Sequence, residues 1–273
     1  MYRKYLISTE SSRLINQLSG DDCQHPLHAI PGACMRTDTM GHPREIKLFY
    51  IFDDIRGNNI LFVTSDDSVY ALGSNRWGQL GLGHNAPIEA PVLIPELCRQ
   101  NIRQFVNGLD FVVALDKDNK KIFWLAGNQW GDLEQSDIYF KPRLITINES
   151  IETIFEQICC GENHTLVLTT NGQVYGWGSN KCGQIGCGSR DMDTISTPIN
   201  IEFPIGYKIL NIICYELISS AVTPDGQVFV WGAINDIKIY SPKLLENIWN
   251  VIKVFVWGAI NDIKIYSPKL LEN

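Results

Sequence analysis

Apolar and polar residues alternate along this chain as pairs of short β-prone runs joined by tight turns. The clearest pair lies at 164–178, where the two runs flank Asn171-Gly172. Two β-prone runs joined by Asn-Gly are the strongest short-range signal for a hairpin, and its type I′ turn needs positive φ at both central residues. The sequence therefore predicts a β-hairpin with a type I′ turn at this point.

A glycine-rich loop follows the hairpin, and the same layout recurs elsewhere. Glycines stand at 183, 186 and 188, a density that excludes a helix or a central strand. An equivalent hairpin and loop occupy residues 61–83, and weaker hairpins occupy 112–127 and 220–232. The glycines assigned to the return strands lie 54, 51 and 54 residues apart: Gly73, Gly127, Gly178 and Gly232.

A period of about 50 residues with at least two strands per unit is typical of a β-propeller or a similar array. We therefore predict an all-β fold, a partial or small β-propeller of about four antiparallel blades. The predicted blades are residues 46–100, 101–155, 156–207 and 208–247. Because open sheet edges recruit other chains, we expect an open arc or a homodimer paired through those edges.

The flanking segments do not follow the repeat. Residues 1–45 carry turn formers and little periodicity, so we predict an irregular N-terminal leader before a propeller at 46–253. Residues 254–273 are identical to 228–247, but they restart at the return strand without the strand that should precede it. We expect this duplicated tail to be an extra edge segment and not a fifth blade.

The units resemble the regulator of chromosome condensation repeat, whose blades read approximately Gly-x-x-His-Thr, Asp-Gly, Val-Tyr-x-Trp-Gly and Gly-Gln-Leu-Gly-x-Gly. Residues 161–188 match nearly throughout, and 69–83 match the second half of the pattern. Residues 103–147 and 209–247 match in the hairpin and its glycine. The resemblance covers about 45–273 and implies a propeller fold. The founding member of the family is a guanine-nucleotide exchange factor for a nuclear small GTPase. The resemblance therefore makes a small GTPase one candidate partner.

Composition and charge narrow the function classes. Hydrophobic residues make up 45% and charged residues 19% of the 273, as in an ordinary folded domain. The net charge of −7 argues against a nucleic-acid partner. The sequence has no run of 18 or more apolar residues, so we expect no membrane span. The basic N-terminus lacks the apolar stretch of a signal peptide. We therefore expect an intracellular protein, cytoplasmic or nuclear.

The cysteines and histidines are the first candidates for site chemistry. Eight cysteines in a chain of this length do not make a disulfide framework, so we expect free thiols in a reducing compartment. Cysteine and histidine side chains are common zinc ligands, and the sequence has a cluster of four: Cys23, His25, His28 and Cys34. Their spacing fits no standard structural zinc site, and we predict no metal.

The glycine loops and His164 are the remaining candidates. Gly178 and Gly183 have the spacing of a phosphate-binding loop, but Gln184 stands where that loop needs lysine. We therefore interpret the glycines as turns between blade strands. His164 has no partner acid or nucleophile at a recognisable spacing, so we predict a core histidine bonded to the backbone of a neighbouring blade.

Together these features favour a non-catalytic protein–protein interaction platform, with no catalytic, cofactor-binding or metal-binding residue predicted. Variable loops on one face would give specificity while the strands hold them in place. Two alternatives stay open. They are a guanine-nucleotide exchange factor for a small GTPase and an adaptor subunit of a ubiquitin-ligase or signalling complex.

Overall fold

The computed structural model describes residues 5–7, 45–54, 57–126, 140–147, 153–234 and 237–245. Most of the predicted leader lies outside these ranges. The cluster from Cys23 to Cys34 and the duplicated tail 254–273 lie outside them as well.

In the described part of the chain, seventeen strands form four antiparallel sheets, each ordered as in the sequence. Blade 1 has five strands: β1 Tyr5–Ile7, β2 Ile46–Asp54, β3 Gly57–Thr64, β4 Val69–Gly73 and β5 Ile88–Leu93. Blade 2 has four: β6 Ile102–Asn107, β7 Phe111–Asp116, β8 Ile122–Ala126 and β9 Arg143–Ile145. Blade 3 has four: β10 Phe155–Cys160, β11 His164–Thr169, β12 Val174–Ser179 and β13 Thr194–Asn200. Blade 4 has four: β14 Asn211–Tyr215, β15 Ile218–Val222, β16 Val228–Ile234 and β17 Ile237–Leu244.

The predicted all-β class and the four predicted blades are therefore confirmed. Two departures from the predicted bounds are β1, which lies within the predicted leader, and Phe155, which lies one residue before the predicted start of blade 3; the other strands fall inside their predicted repeats. A short 3₁₀ helix at Pro95–Leu97 lies on the connection from blade 1 to blade 2. The strands β2, β6, β10 and β14 contact one another in series. They are the inner strands of an open, partial propeller.

The hydrophobic core lies between consecutive blades. Successive residues of a strand point to opposite faces of its sheet, and β11 uses both faces. Val167 packs in a cluster with Val113 of blade 2, whereas Leu166 and Leu168 pack with Phe229 of blade 4. A similar cluster joins blades 1 and 2. Since burying one such side chain stabilises the fold by roughly 1.5–3 kcal/mol, each blade depends on its neighbours.

The hairpin at Asn171-Gly172 forms where the sequence predicted it, but its predicted turn type is wrong. Only Gly172 has positive φ (83°), and its N–H donates to the Thr169 carbonyl at 2.8 Å. This is a type I turn closed by one left-handed residue. Asp67 and Gly226 occupy the equivalent turn positions and also have positive φ, so the hairpins of blades 1 and 4 have the same turn type.

The return-strand position of blade 2 is also corrected. Gly178 pairs with His164, and Gly73 and Gly232 pair at the same step of their own blades. In blade 2 the corresponding pair is Ala126 with Phe111. Ala126, and not Gly127, therefore occupies the repeat position.

Each inner strand is linked to the next by a residue at one repeat position and a residue at the following position, with different chemistry each time. Tyr50 of blade 1 donates its hydroxyl to the Asn107 amide oxygen of blade 2 at 2.6 Å. Cys160 of blade 3 lies 4.0 Å from the Val106 carbonyl through its sulfur. Cys159 of blade 3 forms a disulfide with Cys214 of blade 4.

The expectation of free thiols is therefore wrong for Cys159 and Cys214, whose Cα atoms lie 5.5 Å apart. The cysteines in the described ranges that form no disulfide are Cys98, Cys160, Cys182 and Cys187. Disulfides persist mainly in oxidising environments. The reducing compartment inferred from the cysteine count consequently loses that support.

The blades present two kinds of connection at opposite ends of their strands. We call one end the loop face, formed by 74–87, 108–110, 161–163, 180–193 and 216–217. The opposite end, the turn face, carries the hairpin turns at 65–68, 117–121, 170–173 and 223–227. The two longest connections of the described ranges, 74–87 and 180–193, lie on the loop face, whereas shorter connections between blades, such as 94–101 and 201–210, lie on the turn face. Because long loops held by a rigid scaffold commonly carry binding residues, the loop face is the candidate site.

Candidate interaction surface

A buried asparagine anchors the long loop of blade 1. Asn75 is fully buried, and its side-chain oxygen accepts a hydrogen bond from the Leu80 N–H at 3.1 Å. Its amide donates to the carbonyls of His84 at 2.9 Å and Ala86 at 3.1 Å. A single side chain therefore holds the beginning and the end of the loop together.

Asn180 does the same in blade 3. Its oxygen accepts from the Ile185 N–H at 3.1 Å, and its amide donates to the Met192 carbonyl at 3.0 Å. It is as buried as Asn75. The two loops therefore share one framework although their outer residues differ.

The glutamines of the two loops are structural. Gln79 accepts a bond from the Trp77 N–H at 2.7 Å, and Gln184 accepts one from the Cys182 N–H at 2.9 Å. A phosphate-binding loop needs free backbone N–H groups. Here the glycine N–H groups are already bonded, for example Gly183 to the Asn180 carbonyl at 2.8 Å, in agreement with the interpretation of the glycines as turns.

Each long loop also docks on the blade that follows it. The Gly83 N–H donates to the Phe140 carbonyl at 2.9 Å, and the Gly188 N–H donates to the Tyr240 carbonyl at 2.7 Å. A Cβ atom on Gly183 would lie 2.6 Å from the Ile239 carbonyl oxygen. Each loop is therefore held by the buried asparagine of its own blade and by a backbone hydrogen bond to the next blade.

The exposed tips of the loops are different in chemistry. The tip in blade 1 is His84-Asn85-Ala86-Pro87, and His84 accepts a bond from the Ala86 N–H through Nδ1 at 3.1 Å. The tip in blade 3 is Arg190-Asp191-Met192-Asp193, in which the Met192 side chain is 54% exposed. The Arg190 guanidinium lies over the Tyr240 ring at 5.3 Å, and this contact orients it on the surface.

His164 lies beneath this surface as a buried core residue, but its predicted partner was wrong. Its Nε2 lies 2.8 Å from the Ser219 hydroxyl of blade 4, a side chain and not a backbone group. Because the Ser219 hydroxyl donates to the Gln184 carbonyl at 2.7 Å, it accepts from Nε2, which fixes the proton on that nitrogen. Trp231 donates to the same carbonyl at 3.0 Å.

Burial also settles the charge of His164. Desolvation lowers its pKa from 6.5 to about 3, so the ring is neutral at physiological pH. Its Nδ1 has no hydrogen-bond partner, and a Cβ on Gly161 would lie 2.1 Å from the ring. The residue therefore joins blades 3 and 4 and is closed to substrate.

The inner loops form a backbone chain around the rim of the loop face. The Leu109 N–H donates to the Glu162 carbonyl at 2.8 Å, and the Glu162 N–H donates to the Glu216 carbonyl at 2.9 Å. Burial, and next the nearby Glu216 charge, raises the pKa of the Glu162 carboxyl. Sequence reasoning missed this pair. The signal was available, because Glu162 and Glu216 are 54 residues apart, about one repeat.

In the described ranges, no group of three or more His, Cys, Asp or Glu side chains is placed to hold a metal ion. Nor do those ranges contain a helix long and apolar enough to cross a membrane.

Comparison with known proteins agrees with the repeat pattern. Models of the regulator of chromosome condensation (RCC1) repeat match residues 66–115, 155–184 and 171–214. The ultraviolet-B receptor UVR8 of Arabidopsis thaliana is 30% identical over 173 residues, 62% of this chain and 38% of the receptor. The secretion-regulating guanine nucleotide exchange factor of Bos taurus is 30% identical over 169 residues, 60% of this chain and 35% of that protein. The chain thus spans well under half the length of these relatives.

The fold has a solved counterpart. Yeast RCC1 (Prp20), in its crystal structure bound to Kap60, superposes with a TM-score of 0.55 at 20% identity. The match covers 68% of this chain and 46% of that one. At this level of identity the likeness concerns the propeller architecture alone.

Proposed function

Because this chain is built from regulator of chromosome condensation repeats, we propose that it is a non-catalytic platform that binds a protein partner through its loop face. The observation that carries the proposal is the pair of loops anchored by Asn75 and Asn180, whose frameworks are the same and whose tips differ. A fixed frame with variable exposed residues is the usual design of a recognition surface.

The energetics of binding favour such loops. A segment already held in one conformation loses little freedom when a partner docks, so more of the contact energy appears as affinity. Both loop ends are tied by the buried amide, and the flanking glycine N–H groups are bonded to the next blade. Exposed arginine and methionine side chains, as at Arg190 and Met192, are enriched in protein interfaces.

The test is affinity capture from a native lysate with the full chain as bait, quantified by mass spectrometry. Arg190→Ala with Met192→Ala removes the exposed tip of the blade 3 loop. Lys117→Ala with Asp118→Ala, on the turn face, is the matched control, since both residues are exposed. If the tip carries an interface hot spot, truncating it costs about 1–2 kcal/mol, or roughly tenfold in affinity.

The proposal requires a captured protein that the loop-face variant loses and the turn-face variant keeps. A partner that is unaffected by the loop-face variant but lost with the turn-face variant would place recognition elsewhere and contradict the proposal. Circular dichroism of both variants checks that each one folds.

A second candidate function is nucleotide exchange on a small GTPase. The likeness to the secretion-regulating exchange factor favours it, because that relative is named for this activity. The purified chain would then accelerate release of a fluorescent GDP analogue from at least one GTPase of a representative panel. Release rates unchanged across the panel would end this candidate and leave the platform proposal standing.

A further inference from the structure

Blade 4 has one face packed against blade 3 and one face on which no described blade packs. On that second face, Ile234 is buried in a small cluster with Ile218, Val230, Ile239 and Leu245. Toward blade 3, the side chains of Phe229 and Trp231 are almost fully buried. The opposite face carries five aliphatic side chains that are only partly buried: Ile213, Ile218, Val222, Val228 and Val230. We call these five residues the open face of blade 4.

The corresponding face of blade 3 indicates what the open face lacks. The strand register aligns Val222 with Leu168 and Val228 with Val174. Leu168 and Val174 are almost completely buried, because blade 4 covers them. The open face is thus a blade-to-blade surface without its following blade among the described residues.

The other outermost face of the array is more completely buried. In blade 1, four side chains that point away from blade 2 are each below 7% exposed: Phe49, Ile60, Phe62 and Leu72. Ile46, Ile51 and Tyr70 pack against them and are partly buried. Among the described residues, the outermost face at the blade 4 end is therefore the less covered of the two.

The chain contains a segment suited to that surface. Residues 254–273 are identical to 228–247. In the first copy, β16 and β17 form a hairpin that places Phe229 and Trp231 on the preceding blade. The second copy has Phe255 and Trp257 at the same spacing.

Chain direction and length fit the same arrangement. β17 runs toward the turn face, and the third strand of each four-strand unit starts from the turn face. Residues 248–253 separate the two copies, and six residues reach at most about 20 Å, against about 10 Å between packed sheets. The connection is long enough to reach a third-strand position but leaves no residues for the first two strands of a blade.

We propose that residues 254–273 pack as a two-stranded half-blade on the open face of blade 4, with Phe255 and Trp257 in the roles of Phe229 and Trp231. The contact is apolar. In blade 3, the long glycine loop supplies the Gln184 carbonyl that accepts a hydrogen bond from the Trp231 indole. In blade 4, the connection from β16 to β17 has two residues in place of that loop. In the described part of the chain, the open face therefore has no equivalent acceptor for Trp257. The occupant is the chain's own tail, independently of what binds the loop face.

The experiment uses the full chain labelled with 5-fluorotryptophan and observed by fluorine NMR. Trp257→Phe assigns the Trp257 signal, and a soluble paramagnetic agent measures its exposure to solvent. We expect Trp257 to be nearly as protected as the buried Trp231. Val222→Lys, which charges the open face, should raise the exposure of Trp257 several-fold and leave Trp231 unchanged.

The matched control is Val92→Lys, because Val92 is an exposed strand residue of blade 1 at 42%. It should leave Trp257 protected. A Trp257 as accessible in the parent chain as in denaturant, or one that does not respond to Val222→Lys, overturns the proposal.

Light scattering measures the molecular mass and so distinguishes two occupants of the open face: the chain's own residues 254–273, or a second copy of the chain. A tail folded on its own chain gives the mass of one chain at every concentration. A mass of two chains that Val222→Lys halves would assign the open face to a dimer and overturn the proposal. The Arg190 and Met192 variants leave this surface intact, so the outcome is independent of partner capture.

Discussion

At the scale of single residues, His164 indicates how a side chain that looks functional can serve the fold. It is fully buried, bonded through Nε2 to Ser219, and neutral because desolvation lowers its pKa to about 3. The imidazole and hydroxyl together tie blade 3 to blade 4 near the rim of the loop face. The residue types suggested chemistry, and their burial shows a structural bond.

The lowered pKa of His164 predicts a pH-dependent stability. Between pH 6.5 and pH 3 the unfolded chain binds a proton at His164 that the folded chain refuses, so the free energy of unfolding falls as pH falls through this window. At pH 5 the loss relative to neutral pH amounts to about 2 kcal/mol. Urea unfolding of the parent and of His164→Gln at pH 7 and pH 5 measures it.

His164→Gln should remove this contribution to the pH dependence, whatever its effect at pH 7. His84→Gln, in an exposed loop tip, is the control and should keep the parent's pH dependence. Equal slopes for the parent and His164→Gln would contradict the assignment of a neutral buried ring.

At the scale of elements, the glycine loops join consecutive blades. Gly183 and Gly188 belong to the same loop and have nearly the same φ, 81° and 79°. A Cβ on Gly183 would meet the Ile239 carbonyl at 2.6 Å, whereas a Cβ on Gly188 meets nothing within 4 Å. Alanine substitutions at these two glycines therefore distinguish two losses in the free energy of unfolding. Gly188 reports the loss due to positive φ alone, and Gly183 adds the loss due to close contact with blade 4.

We expect Gly188→Ala to lower the free energy of unfolding by about 1 kcal/mol, the cost of a non-glycine residue at positive φ. Gly183→Ala should cost more, about 2–4 kcal/mol, because the loop must also move off β17. Chemical denaturation of the two variants measures the difference. Equal losses would mean that the loop does not lie against Ile239.

The disulfide between Cys159 and Cys214 makes a second prediction for the elements. It closes a loop of 55 residues between inner strands, and such a crosslink stabilises a fold by up to about 4 kcal/mol. We expect Cys214→Ser to lower the melting temperature, and the reductant dithiothreitol to lower that of the parent but not that of the variant. Cys98→Ser, which changes a free cysteine, should remain sensitive to the reductant.

The sequence predicted the local part of these elements and missed the part that crosses between blades. The hairpin at Asn171-Gly172 was readable because strand propensity and turn residues act over a few positions. The turn type was not, because the flanking Thr169 backbone decides how the loop closes. Inter-blade bonds depend on which strands come together, yet they left a trace: the pairs His164–Ser219 and Cys159–Cys214 are both 55 residues apart, about one repeat.

At the scale of the whole molecule, the chain is a partial propeller in which stability and the proposed binding function use different surfaces. Consecutive blades bury their apolar faces against each other, while the loop face presents tips of different chemistry on a shared frame. Such an array gives a rigid surface for a partner without requiring a closed ring. The proposed half-blade formed by 254–273 would cover the remaining apolar face and limit self-association.

The most direct test of this account is amide hydrogen exchange of the full chain, alone and saturated with the partner captured by affinity. Binding at the loop face predicts added protection in residues 180–193, with the turns at 117–121 and 223–227 unchanged. Protection confined to those turns, or exchange in 180–193 that the partner leaves unaltered, would contradict the claim that the loop face is the site of recognition.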